Sequence, residues 1–309
     1  MKRILVIRGG AIGDFILTLP AIKLLRESFP AARLEILGYQ HIVALAEERF
    51  YADAARSIEY AGLAGFFARG GELDADLVSY FGSFDLIVSY LFDPDGIFEE
   101  NVKRARAERF LAISPKIGSS EHASRQLARP LEAIGLKLGD SSSLLFPSAA
   151  DGAAAETIAG DGETILALHP GSGGERKNWP LQNWFALGDR VLEDLPVGGH
   201  MLIVGGEADV ARTTALRAHW SNPAIIFAEG MPLPHLAAVL ARSFFIGHDS
   251  GISHLAAAAG AKCLLLFGPT DPDIWAPTNP GVTVLRAPCG NLDQLTVATV
   301  TAALERAKS

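Results

Sequence analysis

Residues 248–254 have the composition of an anion-binding turn. A strand is predicted up to residue 248, and the Ala-rich sequence that follows Asp249 and Ser250 predicts a helix that either residue would cap. The first amides of a helix lack intrahelical acceptors and lie at the positive end of its dipole, so they bind phosphate well. We therefore expect the amides of Ser250, Gly251 and Ile252 to bind a diphosphate. Asp249 would repel that ligand directly, and we expect it to hold the loop by accepting backbone N–H groups.

Three more polar side chains are predicted near the same edge. His254 falls one turn along the helix and faces back toward its start, where it either contacts the ligand or serves as a structural histidine. The Gly-rich loop after a predicted strand at 164–169 carries Ser172, a hydroxyl donor, and Lys177, a positive charge for a phosphate. The alternative is an ordinary long loop in which Lys177 is a surface residue.

Two other strand ends supply residues that fit a nucleotide. Glu207 follows a predicted strand at 200–204, where a carboxylate can accept hydrogen bonds from both ribose hydroxyls; otherwise it is an acidic residue favoured at a helix start. Met231 lies in the loop after a strand at 224–228, and such a loop can cradle a nucleobase through its backbone. Ligands of open parallel sheets bind beyond the carboxyl ends of the strands, so the four segments together predict a nucleotide diphosphate site.

Strands and helices alternate along the chain, which predicts parallel βαβ units. In the first half, strands are expected at 3–8, 32–37 and 85–91 and helices at 12–25 and 42–50, with Pro20 kinking or offsetting the first helix. In the second half, strands are expected at 164–169, 200–205, 224–228, 244–248, 262–267 and 282–286, and helices at 181–194, 208–219, 233–242, 252–259 and 292–307.

The chain of 309 residues is long enough for two domains, at roughly 150 residues per domain. Small and polar residues between 140 and 163 form the best candidate linker, and we expect domains at 1–155 and 156–309. Continuous apolar strands such as 263–267 suit a sheet that is covered on both faces. The predicted fold class is α/β, with two Rossmann-like doubly wound domains that face each other across a cleft.

Composition and charge exclude several classes of protein. The formal net charge of −8 disfavours a nucleic-acid groove, which needs clustered cations, and no segment has the ~20 apolar residues that span a bilayer. Two cysteines do not make a disulfide framework, and the amino terminus lacks the pattern of a signal peptide, so we expect a cytoplasmic protein. A basic cluster at 103–109 is either a solvated helix face or a contact for an anionic acceptor or the inner surface of a membrane.

Taken together, these segments resemble glycosyltransferase family 9, the bacterial heptosyltransferases of lipopolysaccharide core assembly. The resemblance covers nearly the whole chain. It depends on these segments: residues 8–14 with Thr18 to Ala21, His169 to Ser172 with Lys177 and Trp179-Pro180, Gly205 to Glu207, Asp249 to Gly251 with His254 to Ala256, and Phe267 to Pro272.

The family resemblance implies a GT-B fold and an inverting reaction that needs neither a metal nor a cofactor. It implies that the second domain binds a nucleotide-diphosphate sugar, with ADP-heptose favoured, and that the first binds a lipid-linked or oligosaccharide acceptor. It also implies that Asp14 is the general base, with Arg8, Gly10 and Gly13 on the acceptor side; Asp14 is otherwise a helix cap. Lys177, Glu207 and the segment 249–251 are the implied donor contacts.

Other functions fit the sequence less well or stay open. A dehydrogenase is disfavoured because Arg8 replaces the first glycine of the dinucleotide motif and the second strand lacks its acidic residue. A P-loop motif is absent from the sequence, and the histidines lack metal-ligand spacing. A non-catalytic nucleotide-sugar binder and a transferase that uses another nucleotide sugar stay open.

Overall fold

A computed structural model describes residues 1–159 and 165–308 of the chain. The chain divides into two compact units, Met1–Ser141 and Ser142–Ser309. The predicted boundary at 155/156 lies later than this division. The cause is the helix Ala149–Ala159, which packs against the helix Leu233–Leu240 of the second unit and therefore belongs to that unit.

The first unit is a parallel five-stranded sheet in the order β3-β2-β1-β4-β5. Its strands are β1 (Arg3–Arg8), β2 (Arg33–Gly38), β3 (Ala54–Ser57), β4 (Leu86–Ser89) and β5 (Phe110–Ala112), and its helices are α1 (Ile12–Ser28), α2 (Gln40–Val43), α3 (Ala75–Phe81), α4 (Ile97–Arg104) and α5 (Ala123–Ala128), with 3₁₀ turns at Ala61–Phe67 and Arg129–Ile134.

The second unit is a parallel six-stranded sheet in the order β11-β10-β9-β6-β7-β8. Its strands are β6 (Ile165–Leu168), β7 (His200–Gly205), β8 (Ile225–Glu229), β9 (Ser243–His248), β10 (Lys262–Phe267) and β11 (Val282–Arg286), and its helices are α6 (Ala149–Ala159), α7 (Leu181–Glu193), α8 (Val210–His219), α9 (Leu233–Leu240), α10 (Gly251–Ala259), α11 (Pro272–Trp275) and α12 (Val297–Lys308), with 3₁₀ turns at Glu175–Lys177, Glu207–Asp209, Pro288–Gly290 and Leu292–Gln294.

The strand order confirms two doubly wound α/β units. In each sheet the order reverses once, between β1 and β4 in the first unit and between β6 and β9 in the second. Right-handed crossovers on the two sides of such a reversal place their helices on opposite faces of the sheet. The reversal also opens a crevice at the carboxyl ends of the two central strands, where a ligand can bind.

Two of the predicted elements are wrong, and one is right only in part. The helix expected at 42–50 ends at Val43, and Glu48 adopts the left-handed region at φ 52°, which a helix cannot contain. The linker expected at 140–163 includes the division between the two units, but it also contains α6, whose alanines favour a helix; its residues 160–163 lie outside the described part of the chain. The last helix begins at Val297 rather than 292. The hydroxyl of Thr296, just before it, accepts a hydrogen bond from the amide of Thr299 and so marks the helix start.

The remaining expected elements are present to within a few residues at each end, and α1 continues through Pro20 to Ser28. Each sheet is buried under apolar residues of the helices. In the second unit the core includes Trp179, Trp184 and Leu187 against Met201 and Leu264. None of the described helices has the length and apolar character needed to cross a bilayer.

Candidate functional site

The crevice of the second unit lies where β6 and β9 end side by side. His169 follows β6, and His248 is the last residue of β9. Both imidazoles are buried, at 3% and 0% exposure. Two buried histidines at one strand edge need polar partners, and those partners determine the shape of the site.

The imidazole of His248 joins the loop at 169–180 to the end of β9. Its Nε2 accepts the amide N–H of Trp179 at 2.8 Å, so the ring proton is on Nδ1, which donates to the carbonyl of Gly171 at 3.4 Å. The indole of Trp184 packs edge-on against the ring. Burial, followed by the nearby His169, lowers the pKa of His248 to about 3. The imidazole is therefore neutral and in one tautomer.

A second network joins three strand ends through His169. Its Nε2 lies 3.3 Å from a carboxylate oxygen of Asp209, and its Nδ1 lies 3.2 Å from the hydroxyl of Ser250. The same Asp209 oxygen accepts the amide of Gly206 at 3.0 Å. Burial opposes ionisation of Asp209, but the hydrogen bonds and charges of its partners outweigh burial and lower its pKa. Asp209 also fills the space beside Gly171, where a Cβ would lie 1.6 Å from Oδ1.

Sequence reasoning missed the roles of His169, Asp209 and His248. The sequence does contain a signal for the two histidines, because each stands at the end of an apolar strand and therefore at the edge of a sheet where ligands bind. What the sequence did not contain was the pairing of strand ends. The contact between His169 and Ser250 joins residues that are far apart in the chain, and only the neighbouring positions of β6 and β9 explain it.

The start of α10 has the predicted form. Ser250 is the N-cap, with extended backbone and a hydroxyl that accepts the amide of Ser253 at 3.3 Å. The hydroxyl of Ser253 in turn donates to the carbonyl of His248. Because the cap uses the Ser253 amide, the N–H groups of Gly251 and Ile252 are the helix-start donors that remain for a ligand.

The partner of Asp249 differs from the one expected. Its side chain is only 9% exposed, and it accepts a hydrogen bond from Nζ of Lys177 at 2.6 Å rather than from the backbone of its own loop. The Lys177 side chain is 35% exposed. The ammonium group therefore lies beside the start of α10, and the carboxylate that would repel an anion there is neutralised by it.

The other predicted donor-side residues lie at the same edge of the sheet but differ in their surroundings. Glu207 is exposed at the start of the turn after β7, and Met231 is partly buried in the loop after β8. The Ser172 hydroxyl donates to the carbonyl of Gly174 within its own loop at 3.0 Å. His254 is buried on α10 at 5% exposure. Their contacts with a ligand stay predictions.

The crevice of the first unit is built on a buried arginine. Arg8 ends β1 at 4% exposure, and its guanidinium donates to the Thr18 hydroxyl at 2.9 Å and to the backbone carbonyl of Asp14 at 3.1 Å. It also lies over the ring of Tyr90, just after β4. Burial lowers the pKa of Arg8, while the charge of Asp14 acts against this shift.

The carboxylate of Asp14 is fixed in position yet remains accessible. One oxygen accepts the amide of Ala11 at 2.9 Å, the other lies 3.4 Å from Arg8, and 43% of the side chain is exposed. Gly10 has φ 96°, and a Cβ there would lie 2.7 Å from the same carboxylate. Gly13 lies in the first turn of α1. A base that removes a proton from a bound hydroxyl needs such a fixed, exposed oxygen.

The basic cluster at 103–109 is partly paired. Lys103 lies 2.6 Å from Glu99 one turn earlier on α4, and Arg104 donates to the side chain of Asn101 at 2.8 Å. These contacts fit a solvated helix face, and a role in membrane or acceptor binding stays a prediction.

A groove of about 880 Å³ lies elsewhere in the second unit. Its lining includes Arg176, Asn178, Arg212 and the segment 289–293. It contains none of the predicted ligand contacts. We place the candidate site at the start of α10 instead, because helix-start amides and Lys177 converge there.

Comparisons with known proteins show the family and the fold of the chain. A model of glycosyltransferase family 9 (heptosyltransferase) matches residues 107–301. The chain is 23% identical to lipopolysaccharide heptosyltransferase 3 of Escherichia coli, in an alignment that covers 86% of this chain and 83% of the relative.

Solved structures have the same fold over nearly the whole chain. A family 9 glycosyl transferase from Veillonella parvula superposes with a TM-score of 0.80 at 18% identity, covering 99% of this chain and 97% of the other. The E. coli heptosyltransferase WaaC with ADP superposes with a TM-score of 0.73 at 18% identity, covering 99% of each chain. WaaC has also been solved with ADP-2-deoxy-2-fluoro heptose.

We predict that His248 makes the stability of the second unit depend on pH. Its pKa falls from 6.5 to about 3 on folding, so the unfolded chain binds a proton that the folded chain rejects. Stability should therefore fall as the pH drops from about 6.5 toward 3, by up to about 1.4 kcal/mol per pH unit, and stay level above that window. His248→Gln should lower stability at neutral pH and remove this part of the slope, as measured by urea unfolding followed through tryptophan fluorescence.

The matched control is His219→Gln, at an exposed histidine of α8, and its slope is compared with that of His248→Gln. Equal slopes for wild type and His248→Gln would show that the buried imidazole is not kept neutral by the fold.

Proposed function

The chain belongs to glycosyltransferase family 9, and from that premise we propose that it transfers a heptose from ADP-heptose to a lipopolysaccharide-core or related glycan acceptor. The chain is a heptosyltransferase-like glycosyltransferase with the GT-B fold. The proposal adds the donor, the acceptor class, inversion at the anomeric carbon, and independence from metals.

The observation that carries the proposal is the start of α10 with Lys177 beside it. A nucleotide-diphosphate sugar needs cations or N–H groups around its two phosphates, and more so as the leaving diphosphate gains charge. Gly251 and Ile252 offer two amides at the positive end of a helix, and the ammonium of Lys177 lies next to them. Glu207 and Met231, at the ends of the next strands, are then the proposed contacts of the ribose and the base.

Asp14 is the proposed general base. Inverting transfer is a single displacement in which the acceptor hydroxyl attacks the anomeric carbon and loses its proton to a base. The exposed carboxylate is held by the Ala11 amide and by Arg8, so it has one orientation before the acceptor binds. The amides of α10 and Lys177 stabilise the departing ADP, which is the work that a metal ion would otherwise do.

The acceptor is proposed to be lipid-linked or an oligosaccharide. A lipid-linked acceptor would bring the enzyme to a membrane surface, where the basic cluster at 103–109 is the candidate contact. There are two alternatives: a transferase that uses another nucleotide sugar, and a protein that only binds one. The two experiments below distinguish them from the proposed function.

Asp14→Asn should reduce heptosyl transfer by about 10²- to 10⁴-fold, the usual contribution of a general base. The amide side chain can still accept the Ala11 N–H, so the fold and the binding of ADP should persist. The measurement is product formation from ADP-heptose and a heptose-deficient core acceptor, with and without EDTA, together with ADP binding by calorimetry.

The control for this variant is Glu27→Gln, which removes an exposed charge from the same helix. Transfer that survives in Asp14→Asn would refute Asp14 as the base, and transfer lost in EDTA would refute metal independence. A wild-type chain that binds ADP-heptose but never transfers the sugar would favour the binding-only alternative.

ADP should raise the melting temperature more than UDP or GDP, because the donor is proposed to be an adenine nucleotide. A ligand at 100 times its dissociation constant adds about 2.7 kcal/mol to the free energy of unfolding. Lys177→Met should remove most of the ADP effect. Lys262→Met, at an exposed residue of β10, should leave the effect intact.

A double variant separates two roles of Lys177, because the single change also leaves the buried Asp249 without its cation. If Lys177 binds phosphate, Lys177→Met combined with Asp249→Asn should still respond weakly to ADP. A full ADP response in the double variant would mean that Lys177 only neutralises Asp249, and no response of wild type to any of the three nucleotides would refute the proposed donor.

A further inference from the structure

We propose that the first unit has a second ligand site, where an amphiphile places an oxyanion head on three arginines and an apolar stem in the adjoining cavity. The site is formed by the amino-terminal halves of β1 and β2, by β3 and by α3. It goes beyond the proposed transfer reaction and does not depend on it.

The head of the ligand would bind in a basin of about 500 Å³ lined by Arg3, Arg33, Arg56 and the buried Glu35. Arg3 and Arg33 both contact one oxygen of Glu35, at 2.8 and 3.0 Å. Three arginines against one glutamate leave a net charge of +2 in the basin. Because Arg3 and Arg33 share one carboxylate oxygen, each guanidinium has further N–H groups that can donate to another anion. Guanidinium groups bind oxyanions in a bidentate manner.

Tyr80 adds a hydroxyl to the basin, close to Glu35. The residue is 8% exposed, and burial, followed by the neighbouring Glu35 carboxylate, raises the pKa of its hydroxyl. The guanidinium of Arg56 lies over its ring, 4.2 Å from the centroid. An oxyanion bound between Arg56 and Tyr80 would pair with the guanidinium and accept a hydrogen bond from the hydroxyl.

The stem of the ligand would enter an apolar cavity of about 190 Å³ that shares Arg56 and Tyr80 with the basin. Its walls include Leu63, Leu77 and Phe81 from the core of the first unit. A cavity of ~150 Å³ lined by such side chains is enough to bind benzene. A charged basin joined to an apolar cavity by two shared residues fits a ligand that has both characters in one molecule.

This site is separate from the candidate acceptor site. Arg3 begins β1 and Arg8 ends it, five residues and about 16 Å apart along the strand. Arg3 and Arg33, which would bind the head of the ligand, are neighbours across the sheet at its amino edge, whereas Asp14 follows the carboxyl edge. The cavity for the stem extends to Ser57, in register with Gly38 and Arg8. A structural role for the cluster would account for Arg3, Arg33 and the Tyr80 hydroxyl, which lie around Glu35, but not for Arg56.

The test is calorimetric titration of the full chain with n-alkyl phosphates from ethyl to hexyl, with inorganic phosphate and with 1-hexanol. Hexyl phosphate should bind, each added methylene should tighten binding by up to about fourfold, and inorganic phosphate and hexanol should each bind far more weakly. Inorganic phosphate that binds as well as hexyl phosphate would overturn the role of the cavity, and no binding of hexyl phosphate would overturn the site.

Variants assign the effect to the residues. Arg56→Gln should weaken hexyl phosphate binding at least tenfold, and Tyr80→Phe, which removes one oxygen only, should weaken it several-fold. Ser57→Leu, which fills part of the cavity, should remove the dependence on chain length but keep the binding of the head. Arg69→Gln is the control, since Arg69 is exposed and lines neither space. Equal binding in Arg56→Gln and Arg69→Gln would refute the proposal, and melting temperatures measured in parallel would show whether each variant is folded.

Discussion

The candidate donor site depends on the neutral imidazole of His248. One ring nitrogen accepts the Trp179 amide and the other donates to the Gly171 carbonyl, so a single buried side chain fixes both ends of the loop that carries Lys177. A protonated ring could not accept that amide, and burial keeps the ring neutral by lowering the pKa of His248. With the loop fixed, Lys177 pairs with Asp249 beside α10, and its ammonium group cancels the negative charge at the helix start.

The first unit has the opposite arrangement of buried and exposed charge. There the buried charge is the cation Arg8, and the carboxylate of Asp14 stays at the surface. Thr18, the carbonyl of Asp14 and the ring of Tyr90 surround the guanidinium, so its burial is compensated by hydrogen bonds and by the aromatic ring. In both units a buried charged group at the reversal of strand order, Asp249 or Arg8, pairs with a more exposed group of opposite charge. The exposed groups, Lys177 and Asp14, are the ones proposed to act on substrates.

Sequence patterns predicted the elements with strong periodicity and missed the ones set by tertiary contacts. The apolar strands β1, β7 and β10 were predicted within a residue, because a buried parallel strand is a continuous apolar run. The short strands β3 and β5 have no such run and exist because β2 and β4 pair with them. In the site, the capped start of α10 was predictable from Ser250 and its neighbours. The pairing of Asp249 with Lys177 was not, because it depends on the fold of a loop 72 residues earlier in the chain.

The proposed donor site requires that a diphosphate binds at the start of α10. Titration of the ¹⁵N-labelled chain with ADP, followed by amide and lysine-ammonium chemical shifts, tests it directly. The account predicts the largest shifts at the amides of Ser250, Gly251 and Ile252 and at the ammonium of Lys177. Shifts concentrated instead in the loop at 288–293, with the α10 amides unchanged, would contradict it and move the nucleotide to the other groove of the second unit.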